Sequence, residues 1–134
     1  MTTSPVAPDS LADTWATQAR EYFAAADQWN FDVFGQYLSP DVRFRFGNTA
    51  PLQGLDTMLG FAREYQKQVK SVQHSFDRCT YDIERRRMAI ELTVKYVRHD
   101  DIAKTYPAAV LLDFDIDSMI SGYRVFVDLS ELLS

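Results

Sequence analysis

Acid–base chemistry near neutral pH would start, in this 134-residue sequence, from one of its two histidines, His74 or His99. A histidine moves protons well when a carboxylate holds one ring nitrogen, because the tautomer is then fixed and the other nitrogen is free. His74 opens a segment of alternating character, Gln73-His74-Ser75-Phe76. Asp27 falls in the last turn of a helical segment, where it opposes the helix dipole and needs something else to hold it. Tyr22 lies on the apolar face of that same segment, and a Tyr hydroxyl can stabilise a developing oxyanion. Other chemistries find less support. Cys79 is the single cysteine, and no Cys or carboxylates cluster at ligand spacing, so no metal site is expected. Neither a Gly-rich phosphate loop nor a Ser-His-Asp pattern is present, and no cofactor is expected.

The elements that must position these side chains are helices first and strands afterwards, the layout of an α+β domain. Residues 1–10 read as a flexible lead-in before a single domain over 11–134, with Asp9 or Ser10 as a helix cap. Leu11, Trp15, Ala19, Tyr22 and Ala26 then recur at helical spacing and predict a helix to about Asp27. A second short helix is expected over about Asp32–Leu38, ended by Ser39-Pro40-Asp41. Val42–Phe46 reads as a strand, and Met58, Leu59, Phe61, Ala62, Tyr65 and Val69 give a third helix its buried stripe. From residue 73 the period becomes two, predicting strands over about Gln73–Ile83, Arg87–Arg98, Thr105–Asp115 and Ile120–Leu129. Their connections are short and polar, and Arg85-Arg86-Arg87 reads as a solvated hairpin turn.

This order of elements resembles the cone-shaped fold of the nuclear transport factor two and ketosteroid isomerase superfamily. Val42-Arg43-Phe44-Arg45-Phe46-Gly47-Asn48, with Pro51 and Gly54, and the closing Tyr123-Arg124-Val125-Phe126-Val127-Asp128-Leu129 resemble its SnoaL-like branch. The resemblance implies three N-terminal helices on a curved, mixed and mostly antiparallel sheet that encloses a pocket. It also implies a choice among activities, since one fold hosts many. The isomerase carboxylate base would fall at Arg45 or Phe46 and its protonated Asp at Val110, which disfavours that mechanism. The Asp-Arg-Asp set of limonene epoxide hydrolase would fall on the apolar Leu92, Val94 and Val125. Dehydratases of the superfamily place an Asp at the end of the first helix and a His at the start of the strand after the third, and Asp27 and His74 resemble that pair. Tyr22, five residues before Asp27, matches a Tyr of the bile-acid dehydratase.

The expectation is therefore a cofactor-independent dehydratase, isomerase or cyclase acting on a hydrophobic oxygenated small molecule, with catalytic His74, Asp27 and Tyr22. The alternative is a non-catalytic small-molecule-binding or assembly protein of the same fold. Substrate contacts are expected from Trp15, Phe44, Phe46 and Asn48, and from Tyr96, Val110, Leu112 and Val125. A net charge of −5 offers no general attraction to nucleic acid or anionic membrane. Residues 1–10 lack a signal-peptide pattern, no stretch reaches the length of a membrane span, and the lone cysteine suits a reducing compartment, so a cytoplasmic location is expected. Broad sheets of this fold pair face to face, which implies a homodimer; light scattering that returned the mass of one chain would overturn it.

Overall fold

The structure, a computed structural model, describes residues 8–133. Helix α1 spans Pro8–Asp27, three residues longer than the periodicity predicts, so Asp9 and Ser10 lie inside its first turn rather than capping it. Of the expected lead-in, residues 1–7 lie outside the described residues. Trp15, Ala19, Tyr22 and Phe23 are buried along one side of α1, the stripe that docks it on the sheet.

Phe31–Gln36 form a 3-10 helix in place of the expected α-helical segment. A run this short closes few α-helical bonds, and only Phe34 is fully buried in it. Ser39-Pro40-Asp41 does not end a helix. It belongs to β1, Leu38–Phe46, whose pairing with its neighbour shifts register between Leu38 and Arg43. That irregularity is where a strand tolerates a proline without an N–H. A two-residue strand β2, Leu52–Gln53, leads into α2, Leu55–Gln68, through Gly54 at φ +98°, a conformation that glycine adopts without strain.

The remaining strands are β3 Ser71–Asp82, β4 Arg87–Val97, β5 Ala103–Phe114 and β6 Ile120–Phe126. β6 stops short of Leu129, because Asp128 accepts the Ser130 N–H at 3.0 Å and starts a terminal turn of helix, α3 (Ser130–Leu133). The sheet order is β2-β1-β6-β5-β4-β3, with β1 and β6 parallel and every other pair antiparallel. Gly122 of β6 faces Asp113 of β5 so closely that a Cβ would lie 2.5 Å from the carboxylate, which instead reaches Arg87 at 2.8 Å. No helix among the described residues is long and apolar enough to cross a membrane.

One end of the cone is solid. Trp15 stacks on Phe114 at 4.9 Å with rings 4° from parallel, and donates Nε1–H to Ser118 Oγ at 3.2 Å. Met88, Ile90, Leu112 and Ile120 fill the rows beside it with no exposure. Arg86, expected in a solvated turn, is half-buried here: its guanidinium bonds the Phe114 and Asp115 carbonyls and lies 5.4 Å from the Trp15 ring. The other end is hollow.

Candidate active site

The hollow is built by the same strands a few residues further along. Leu92, Val94 and Tyr96 of β4, Val110 of β5, and Tyr123 and Val125 of β6 face inward where the solid rows stop. Phe44 and Phe46 close one side from β1, and Met58, Phe61 and Tyr65 of α2 close another. Together with the end of α1 they leave a cavity of about 70 Å³. A cavity of that size holds a few waters, less than half the roughly 150 Å³ that admits benzene.

His74 lines it and meets Asp27. One carboxylate oxygen of Asp27 lies 2.5 Å from His74 Nδ1, and the other accepts the His74 backbone N–H at 3.0 Å. Both oxygens are therefore committed to one residue, which anchors the end of α1 to the start of β3 and answers why an acid sits in the last helical turn. The side chains are 15% and 20% exposed, so water screens the pair only in part. Phe23 packs on the imidazole at 4.7 Å between ring centres. With the carboxylate as acceptor, Nδ1 carries the hydrogen, and Nε2 forms no hydrogen bond among the described residues.

Tyrosines supply the rest of the polar lining. Tyr22 and Tyr123 meet edge to face at 5.4 Å, with their hydroxyls paired. Burial pushes Tyr22 well above the ordinary tyrosine range, with the Tyr123 bond opposing the shift and the Asp27 charge adding to it. Tyr123 is raised by the same burial and by its Tyr22 neighbour. Both hydroxyls therefore remain protonated donors at any physiological pH. Tyr65 is raised by burial too, and its hydroxyl lies buried near Tyr96 without a hydrogen bond of ordinary geometry. A ligand oxygen at that point would satisfy it.

The structure thus brings Tyr22, His74, Phe44, Phe46, Tyr96, Val110 and Val125 around one cavity, with Asp27 bound to His74 but not itself on the lining. Trp15 and Leu112, expected to touch substrate, are instead in the solid end, and Asn48 is exposed in the turn after β1. Tyr123 went unassigned although it alternates with Val125 and so shares its face. Tyr65 and Phe61 were legible only as a helix stripe, which cannot by itself tell a cavity wall from filled core. Among the described residues, no group of three or more His, Cys, Asp or Glu is placed to hold a metal ion.

The family model described as SnoaL-like domain matches residues 19–123. The chain belongs to the SnoaL-like family. Solved structures share its fold at low identity. An NTF2-like protein of unknown function from Burkholderia pseudomallei superposes with a TM-score of 0.80 at 15% identity, covering 90% of this chain and 95% of that one. A protein assigned as a SnoaL-like polyketide cyclase from Jannaschia sp. gives 0.78 at 14% identity, over 99% and 94% of the two chains. An LEH-like epoxide hydrolase from M. tuberculosis gives 0.74 at 15% identity, over 87% and 84%. No curated protein matches the chain. SnoaL-like domains thus share a scaffold with proteins assigned to several small-molecule chemistries.

Proposed function

We propose that this SnoaL-like protein is a cofactor-independent acid/base enzyme, a dehydratase, isomerase or cyclase, acting on a hydrophobic oxygenated small molecule. The observation that carries this reading is the Asp27–His74 pair, with both carboxylate oxygens committed to a histidine that lines the cavity. In the reaction His74 Nε2 takes a proton from a carbon beside a carbonyl. The electron pair moves to the carbonyl oxygen, where Tyr22, itself polarised by the Tyr123 hydroxyl, donates a hydrogen bond. The Asp27 carboxylate balances the imidazolium. His74 then returns the proton, either to another carbon of the enolate, which is isomerisation, or to a β-hydroxyl that leaves as water, which is dehydration. In cyclisation the enolate carbon attacks a second carbonyl and His74 protonates the new alkoxide.

A second reading, a binding or assembly protein, is favoured by one observation, the small volume of the cavity against the several hundred Å³ of ordinary ligand pockets. One experiment separates the two. Acetone in deuterium oxide, followed by proton NMR, should exchange its methyl protons faster with the protein than without it. His74→Ala should return the rate to background while circular dichroism stays unchanged. Exchange that persists in the variant removes His74 from the mechanism, and no acceleration by the native protein favours the binding reading. The homodimer also stands as a proposal, supported by Leu111 and the half-exposed Phe126 on the outer face of the sheet.

A further inference from the structure

The backbone just after α1 is strained at one residue that lines the cavity. Trp29 has φ +55°, in the left-handed region where a bulky L-residue is an outlier. The reason for that conformation is the way α1 ends. The Asn30 N–H donates to the Ala25 carbonyl at 2.9 Å and the Trp29 N–H to the Ala26 carbonyl at 3.0 Å, the paired bonds of a Schellman motif. In that motif the residue between the last turn and the following chain takes the left-handed conformation, and glycine or asparagine takes it at least cost. This chain spends a tryptophan there.

Packing gives only a partial return for the strain. The indole is half-buried, and its ring partners are Phe31 and Tyr65, each with centroids 6.3 Å away and neither stacked. The chain's other tryptophan, Trp15, is by contrast fully buried, stacked and hydrogen-bonded. Trp29 nevertheless lines the same cavity as His74, and sits two residues from Asp27. Backbone strain retained for a loosely packed, partly exposed side chain that lines a cavity points to what that side chain does there.

We propose that Trp29 is the specificity-determining residue of the cavity: its indole covers the mouth, limits access to His74 and sets the size of ligand that can enter. The inference rests on reading the cavity as a ligand site. With the indole in place the space admits only a few atoms; a ring-sized, oxygenated ligand enters when the indole swings aside. The backbone need not move, because the Schellman bonds are made by main-chain groups and hold α1 whatever the side chain does. Phe31 and Tyr65, the neighbours of the indole, remain as the inner wall against which a planar ligand would lie.

The test measures access without using turnover. Diethylpyrocarbonate acylates neutral imidazole, and mass spectrometry reads its rate at His74 and at the exposed His99 of the same molecule. Trp29→Gly and Trp29→Asn both suit the left-handed backbone. Each should speed modification of His74 about tenfold or more and leave the His99 rate unchanged, with a thermal midpoint equal to or above that of the native chain. An unchanged His74 rate in both variants overturns the proposal. A lowered midpoint with faster reaction at both histidines also overturns it, since Trp29 would then be a packing residue. Because the readout is acylation, it stands or falls apart from the catalytic role of His74, which the exchange experiment decides.

Discussion

Replacing Asp27 by asparagine is expected to slow the proton-exchange reaction by about a hundredfold to ten-thousandfold, with little change in the fold. The amide is nearly isosteric with the carboxylate, and its single oxygen would be taken by the His74 backbone N–H, the bond now 3.0 Å long. Its NH₂ group would then face Nδ1 and donate to it. That places the histidine's own hydrogen on Nε2, the atom that must accept a proton from carbon. The variant therefore carries its base in the wrong tautomer, and it also lacks the charge that balances an imidazolium. Circular dichroism should match the native protein, and the loss should fall on kcat rather than KM, because Asp27 acts on the histidine and not on the ligand. A variant within about threefold of the native rate would remove the orienting role.

Alkaline pH should unfold the protein in a single step coupled to tyrosine ionisation. Tyr22, Tyr65 and Tyr123 are held above the ordinary tyrosine range, chiefly by burial. The sign follows from proton binding. Up to about pH 10 folded and unfolded chains both keep these protons, and the three residues leave stability independent of pH. Above that the unfolded chain releases them while the folded chain retains them, so each unit of pH costs about 1.4 kcal/mol per tyrosine, or about 4 kcal/mol together. A domain of ordinary stability is exhausted within about two to three pH units. Tyrosinate absorbance and far-ultraviolet circular dichroism, recorded together, should show these three ionising only as ellipticity is lost. Smooth ionisation of all seven tyrosines in a folded chain would mean that water reaches the hydroxyls.

The fold was legible where period and burial coincide. The alternation of Ile90, Leu92, Val94 and Tyr96 marks the inward face of β4, and Trp15, Ala19 and Tyr22 mark that of α1. What alternation cannot give is the level at which inward-facing residues stop meeting one another. Leu112 and Val110 are two residues apart on one face, yet the first is in solid core and the second on a cavity wall. The difference is made by Trp15, Phe114 and Arg86, which converge from distant parts of the chain. Asp27 and His74 were readable as a pair only through resemblance to dehydratases, since 46 residues separate them in sequence. Trp29 was unreadable for a different reason. A glycine there would have announced the left-handed helix end, and a tryptophan hides it.

The solid and hollow ends of the cone also bear on how such a chain can diverge. Residues in the solid rows are surrounded on every side, so each exchange there must be answered by its neighbours. Those at the hollow end face open space across the cavity, and a change in their size or polarity disturbs fewer partners. At the hollow end, a new side chain alters what is recognised before it alters what folds.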